Sequence, residues 1–149
     1  MSGVHIRPMR PEDYDAVYAL WLGCTGMGLN DVDDSREGIG RYLHRNPETC
    51  FVAEDDGAIV GAVLAGHDGR RGHINHLAVA SAYRRRGLGR ALVETALDAL
   101  SRQGITKVNL TVFAANAEGS AFWERLGFTT RPDLIYRNRV LVETRRRDT

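Results

Sequence analysis

The sequence predicts a mixed α/β (α+β) fold: a mostly antiparallel sheet containing one parallel strand pair, flanked by about four helices. Three observations carry this. Residues 51–54 and 58–65 are strand-like runs on either side of Asp55-Asp56-Gly57, the pattern of a β-hairpin closed by an Asp-Gly turn. From residue 88 to residue 103, Leu88, Leu92, Val93, Ala96, Leu97 and Leu100 share one broad arc. Arg90, Glu94, Asp98 and Arg102 keep the narrower polar wedge, as suits a helix laid across a sheet. That helix stands between two further strand-like runs, 73–79 and 107–112, and a crossover of this length joins parallel strands.

The remaining elements follow in chain order. Residues 4–7 read as a short strand, and Arg10-Pro11-Glu12-Asp13 opens a helix with Pro and acids in its first turn, after which Val17, Leu20 and Trp21 recur at helical spacing. Residues 23–34, rich in Gly and Asp, form a loop. Residues 35–45 form a second helix, with Ser35 placed to cap it and Ile39, Tyr42 and Leu43 on one face. Asp68-Gly69-Arg70-Arg71-Gly72 turns the hairpin into the 73–79 strand, so three strands make an antiparallel meander. Gly104 ends the long helix. A last helix, 117–126, stops at Gly127; with that glycine at the C′ position, Phe128 folds back onto Trp123. Residues 134–142 are expected as a closing strand, and the basic tail 145–149 as a solvated, frayed end. No repeat or linker divides the chain, which reads as one domain over residues 1–149.

Composition narrows the function. The 149 residues are 43% hydrophobic and 26% charged with a net charge of only +1, typical of a soluble globular protein and unlike a nucleic-acid binder. No apolar run approaches the ~18 residues that a membrane helix needs, and Met1-Ser2-Gly3-Val4-His5 lacks the apolar segment of a secretory signal. Cys24 and Cys50 have neither metal-binding nor redox spacing, so two reduced thiols, no metal and a cytoplasmic location are expected.

Chemistry concentrates at residues 84–89, Arg-Arg-Arg-Gly-Leu-Gly. A strand that runs through a Gly-rich turn into a helix points several N–H groups and the positive end of the helix dipole at one spot, which is a phosphate cradle. The Walker A string does not occur in the chain. The dinucleotide fingerprint also fails, because Leu92 stands where a third Gly is needed and residues 107–112 supply no carboxylate for a ribose. What remains is Arg84-x-x-Gly87-x-Gly89, followed by Arg90. A basic triplet alone is more often a solvated turn or a nucleic-acid contact than a phosphate cradle. No aromatic residues interleave with these arginines as single-strand binding would require.

With these residues the chain resembles the GNAT superfamily of acetyl-CoA-dependent N-acetyltransferases. The family's pyrophosphate loop, [Gln/Arg]-x-x-Gly-x-[Gly/Ala], is filled by Arg84, Gly87 and Gly89. A second element, an Asn followed by a helix ending in aromatic-x-x-x-Gly-Phe, is matched by Asn116 and Trp123-Glu124-Arg125-Leu126-Gly127-Phe128. A third, Leu-x-Val closing the preceding strand, is Leu77-Ala78-Val79. The likeness is specific over roughly residues 50–128. It implies a GNAT fold of six to seven strands whose central parallel pair splays where the cofactor enters. It also implies acetyl transfer from acetyl-CoA to a primary amine by direct attack in a ternary complex. Homodimers are common in the family, although nothing in this sequence marks an interface.

The resemblance assigns roles residue by residue. Arg84, Arg85, Arg86, Gly87, Leu88, Gly89 and Arg90 would hold the pyrophosphate, the two glycines letting the main chain approach without a Cβ. Leu77, Ala78 and Val79 would pair with the pantetheine arm, an N–H near Leu77 or Ala78 polarising the thioester carbonyl. Asn116 would contact the same arm, cap the last helix, or do both. Trp123 departs from the family, which usually has a Tyr there as proton donor; an indole N–H donates a hydrogen bond but has no useful acidity. Water or another phenol, Tyr136 or Tyr83, would then cover the role. For the base, the family position falls on His73, with Asn75 on the same face; His76 faces the other way unless a bulge intervenes. Asp31, Asp33 and Asp34 cluster where an amine acceptor is expected, and could attract it or form only a polar loop. The acceptor could be a small molecule or a protein N-terminus or lysine. Asn75-His76-Leu77-Ala78-Val79 and Tyr136-Arg137 lean towards the branch that acetylates ribosomal-protein N-termini. The competing reading, motivated by Trp123, is a CoA-binding sensor or regulatory module with little catalysis.

Overall fold

A computed structural model describes residues 3–148; Met1 and Ser2 of the N-terminal segment and Thr149 of the basic tail lie outside the described residues. Five strands, β1 (Val4–Pro8), β2 (Phe51–Asp55), β3 (Ala58–His67), β4 (Gly72–Val79) and β5 (Val108–Asn109), lie side by side in chain order. Neighbours are antiparallel except β4 and β5, which run parallel as the crossover requires. The helices are α1 (Tyr14–Leu22), entered through a single 3-10 turn at Pro11–Asp13, α2 (Arg36–Arg45), α3 (Leu88–Arg102) and α4 (Ala117–Arg125).

Each element has a local cause. The β2–β3 hairpin closes on Asp56 and Gly57 with φ of 50° and 84°, the paired left-handed residues that make a two-residue turn match strand twist. Ser35 caps α2 by accepting from the Gly38 N–H at 3.0 Å. Gly127 (φ 91°) stops α4 in a Schellman turn, its N–H donating to Glu124 O and the Phe128 N–H to Trp123 O, each at 3.0 Å. The Phe128 ring then packs edge-on against Trp123 at 5.2 Å, as the sequence predicts.

The sheet separates two apolar layers. On one face α3 lays Leu88, Leu92, Val93, Ala96 and Leu100 over Phe51, Ala53, Val63, Ala65 and Ile74. Burial of each Leu or Val contributes about 1.5–3 kcal/mol, which makes this layer the principal reason for the fold. Gly61 permits the close approach, because a Cβ there would stand 2.9 Å from a Leu92 methyl. On the other face Val17 and Trp21 of α1 and Ile39 and Leu43 of α2 cover Val52, Ala62, Leu64 and Ala78. Arg7 of β1 ties the sheet to the start of α1, donating two hydrogen bonds to the Asp13 carboxylate (2.8 and 2.9 Å) and one to Glu54 (3.3 Å). The Arg7 guanidinium holds Asp13 well below the usual carboxylate range.

Three expectations need correcting. The sheet has five strands among the described residues, not six to seven. Residues 134–142 form no regular element, and Leu134, Ile135 and Leu141 are 60%, 78% and 90% exposed. β5 is ordered over only two residues, so it offers the expected closing strand almost no ladder to join. The tail is anchored rather than frayed. Arg146 bridges Asn30, the Arg147 N–H donates to Leu29 O at 2.8 Å, and the Asp148 carboxylate accepts from the Gly28 and Leu29 N–H groups at 3.0 and 2.7 Å.

Candidate active site

β4 and β5 pair only at Gly72 with Val108 and His73 with Asn109, then diverge. The opening between them leads into a cleft of about 800 Å³. Leu77, Ala78 and Val79 line one wall, Leu110 and Thr111 the other, and Asn116, Phe122 and Trp123 of the α4 region close a third side. This is the splay that the family resemblance implies.

At one end of the cleft the chain turns from β4 into α3. Arg85 (φ 62°) and Gly87 (φ 83°) are both left-handed, and successive residues of alternating hand aim their N–H groups into one concavity. Among the described residues, no N–H from residue 85 to residue 90 finds a protein acceptor, and the first helical bond is Ala91 N–H to Gly87 O at 3.0 Å. A non-glycine residue at positive φ costs about 1–2 kcal/mol, a strain characteristic of binding turns. A Cβ at Gly89 would just touch the Phe122 ring at 3.4 Å. Unengaged donors, a helix start with no acidic residue in its first turn, and Arg84, Arg85 and Arg90 at its rim fit a diphosphate. Arg86 turns away, its guanidinium 5.3 Å above the Tyr83 ring. Asn116 accepts from the Gly119 N–H at 2.9 Å, capping α4, while its Nδ2 has no hydrogen bond among the described residues and stays available to the cleft.

The decisive local feature is a bulge in β4. Leu64 of β3 faces His76 and Ala65 faces Ile74, leaving Asn75 without a partner. The inserted residue resets the alternation: Ile74, Leu77 and Val79 pack towards α3, whereas His76 and Ala78 face α1 and α2. His76 is therefore on the face that regular alternation denies it. Its Nε2 lies 2.7 Å from Asp34 Oδ1, and its ring meets Trp21 edge-on at 4.8 Å. A carboxylate only accepts, so Nε2 carries a proton, and Nδ1 is the ring nitrogen left without a protein partner among the described residues. Asp34, 5% exposed, is held by the Asn30 N–H at 2.9 Å, and its own carbonyl accepts from the Tyr14 hydroxyl at 2.6 Å.

A second cavity of about 500 Å³ opens on the far side of this bulge. Gly38, Arg41, Tyr42 and Arg45 line it at i, i+3, i+4 and i+7, one face of α2, opposite Asn30, Asp33 and Asp34. Asn75 Nδ2 donates to the Tyr42 hydroxyl at 2.9 Å, and burial pushes the Tyr42 phenol well above its ordinary range, so it remains a neutral donor. Asn75 and His76 are the residues common to both cavities.

Several predicted site residues stand elsewhere. His73 remains at the paired end of β4, bonded to Asn109, and lines neither cavity. Tyr136 is 72% exposed and also lines neither. Asp31 is occupied with the tail, accepting from the Arg145 N–H at 2.7 Å. Tyr83 lines the cofactor cleft but commits its hydroxyl to Asp55, which raises the phenol. Trp123 is wedged between Phe122 (5.0 Å) and Phe128 (5.2 Å), so its place is explained by packing. Tyr42 and the α2 face were missed; the i, i+3, i+4, i+7 spacing of Gly38, Arg41, Tyr42 and Arg45 was the available signal.

Comparison with known proteins settles the ancestry. The model of the acetyltransferase (GNAT) family matches residues 14–128, most of the chain. The chain belongs to the GNAT acetyltransferase family. Members transfer acetyl groups from acetyl-CoA to amines, and the chain is accordingly an acyltransferase. An acetyltransferase of Yersinia pestis (strain Pestoides F) is 33% identical over 140 residues, covering 94% of this chain and 98% of that one. Among solved structures, the ribosomal-protein-S18-alanine N-acetyltransferase of Escherichia coli is 25% identical with a TM-score of 0.69, over 83% of this chain and 76% of that one. The PaiA N-acetyltransferase of Thermoplasma acidophilum, solved in complex with coenzyme A, shares the fold with a TM-score of 0.76 at 19% identity, over 88% and 92% of the two chains. No helix of the described residues is long and apolar enough to cross a membrane.

Proposed function

We propose that this GNAT protein transfers the acetyl group of acetyl-CoA to a primary amine by direct attack, with both substrates bound at once. One observation supports the reading: the cofactor cleft and the second cavity share Asn75 and His76 in their linings, which sets a place for an amine beside a place for a thioester. Acetyl-CoA supplies the activated acetyl group. The N–H groups of residues 85–90 and the guanidinium groups of Arg85 and Arg90 hold its diphosphate, and the edge of β4 at residues 77–79, where Arg84 Nε donates to Val79 O at 3.0 Å, receives the pantetheine arm.

His76 is the proton acceptor in this proposal. Asp34 fixes the ring and its tautomer, leaving Nδ1 to take a proton from the incoming ammonium group directly or through water, and stabilises the imidazolium that forms. Asn75, anchored through its Nδ2 on the Tyr42 hydroxyl, orients the amine. Trp123 contributes a packed wall and no proton.

The test is free-thiol release and product mass with purified protein, acetyl-CoA and a panel of amines. Gly89→Glu should abolish coenzyme A binding in calorimetry. His76→Gln should leave that binding intact while lowering kcat/KM for the amine about 10²–10³-fold at neutral pH, the usual worth of a positioned base. The deficit should shrink as pH rises, because more of the amine is then unprotonated. A His76→Gln enzyme with wild-type rates across the pH range removes the base assignment; no coenzyme A binding by the wild type removes the function.

A further inference from the structure

The second cavity carries both signs of charge, held apart. Asp33 and Asp34 stand on the loop before α2, while Arg41 and Arg45 stand one helical turn apart on α2 itself. Neither arginine forms an ion pair or a hydrogen bond among the described residues, and both are exposed to the cavity and its mouth. Elsewhere on the surface Arg36, Arg102 and Arg131 each find a carboxylate. Opposite charges within one cavity that do not neutralise each other leave a field suited to a ligand with its own separated charges. A simple diamine or aminoglycoside-like cation would meet the two guanidinium groups at a cost, because two cationic centres would be forced together. The floor between the poles is apolar, formed by Ile39 and Leu64, 2% and 4% exposed.

We infer that the acceptor is a small amine bearing a carboxylate, an amino acid or a close analogue. Its amine lies at the His76–Asp34 end, its carboxylate is bound by Arg41 and Arg45, and its carbon chain rests on Ile39 and Leu64. The Tyr42 hydroxyl, on the same helix face and with its own proton uncommitted among the described residues, supplies a further donor to the carboxylate. A cavity of about 500 Å³ matches a small molecule. The inference rests on the acetyl-transfer reading and narrows it to a substrate class.

The test compares α-amino acids, β-alanine and γ-aminobutyrate, each beside its carboxamide, with an N-terminal peptide amide as a further arm. Turnover by the wild type is set against that of the Arg41→Gln/Arg45→Gln double variant. Both side chains are exposed, so the variant should keep its fold, checked by circular dichroism. The expected result is that the wild type prefers at least one acid over its carboxamide. The double variant should lose about 10–100-fold in kcat/KM for the acid, the worth of one or two charge-assisted hydrogen bonds, and distinctly less for the carboxamide, whose neutral carbonyl accepts weaker bonds from the same guanidinium groups. Equal loss for acid and carboxamide, wild-type preference for carboxamides, or better turnover of the peptide amide than of every acid overturns the inference and leaves acetyl transfer standing. Coenzyme A binding without turnover of any amine instead overturns the transfer reading. The anion site is then judged by calorimetric titration of the amino acids: affinity weakened about 10–100-fold in the double variant supports it, and no binding or unchanged affinity removes it.

Discussion

Gly38 offers the most demanding test of how α2 and the Asp34 loop build the site, because local propensity and tertiary packing predict opposite signs for one substitution. Gly38 and Gly40 both lie inside α2. Replacing a glycine inside a helix by alanine ordinarily stabilises by about 0.8–1.0 kcal/mol. At Gly40 a Cβ meets nothing within 4 Å, so Gly40→Ala should gain that amount. At Gly38 a Cβ would stand 2.3 Å from Val32 O and 2.4 Å from Asp33 O, about 1 Å inside the 3.4 Å at which ordinary contact begins. Both obstacles are main chain, and the loop must retreat. Overpacking costs about 1–3 kcal/mol, and two main-chain obstacles place this site in the upper part of that range, about 2–3, so Gly38→Ala should come out about 1–2 kcal/mol less stable than wild type after its gain in helix propensity. For a chain of this size that is a fall in Tm of about 3–6 °C, against a rise of about 2–4 °C for Gly40→Ala. The retreating loop carries Asp34, whose 2.7 Å bond to His76 would stretch by about 1 Å, past hydrogen-bonding range. A misplacement of ~1 Å at a catalytic group can cost about 10²-fold in rate, while coenzyme A, held on the other side of β4, should bind as before. Thermal unfolding by circular dichroism, calorimetry with coenzyme A and thiol-release kinetics on the two variants make the measurement. A Gly38→Ala protein as stable and as active as Gly40→Ala would falsify the close approach of the loop to α2.

Other expectations follow from single features. Asp13→Asn should cost about 2 kcal/mol, less than the ~3–5 of a fully buried pair because Glu54 still faces Arg7 and water reaches the site. Asp13 is depressed in the fold, so its contribution is complete above the unfolded carboxylate value of ~3.9 and is lost as pH falls below it. Denaturant melts from pH 7 to pH 3 should therefore drop more steeply for wild type than for Asp13→Asn. Trp123→Phe should stay within about threefold of wild-type kcat/KM, because an indole supplies no acid; a loss beyond ~30-fold with the fold intact would show that the N–H acts in the chemistry. Cys24 lines the cofactor cleft, whereas burial pushes the Cys50 thiol up to about 12. A thiol reagent at neutral pH should thus modify Cys24 in the native protein, slow down when coenzyme A is present, and reach Cys50 only on unfolding.

What the sequence made legible was what neighbouring residues decide among themselves. The Asp56-Gly57 turn, the apolar arc of α3, the Gly127 stop that returns Phe128 to Trp123, and the Arg84-x-x-Gly87-x-Gly89 turn each depend on a few adjacent residues. Strand 134–142 failed for the opposite reason. Its apolar residues satisfy strand propensity, but a strand exists only where a neighbour offers a ladder, and β5 ends after two residues. Asp31 and Asp34 look equivalent in a polar loop, yet one ties down the tail and the other is buried against His76.

The histidine assignment turns on the same distinction. Counting alternate residues along a strand puts His73 and Asn75 on one face and His76 on the other, and that count holds only while every residue has a partner across the ladder. The register between β3 and β4 slips by one at Asn75, a property of two segments together that neither encodes alone. The slip reverses the parity for the rest of β4. It carries His76 to Asp34, lifts Asn75 to Tyr42, and leaves Leu77 and Val79 packed towards α3 along the open edge of the cofactor cleft. Had β4 been regular, the imidazole would have faced α3 and the two cavities would have had no titratable group at their junction. The bulge that interrupts the ladder thus sets Asn75 and His76 between the two cavities that the proposed reaction assigns to cofactor and amine.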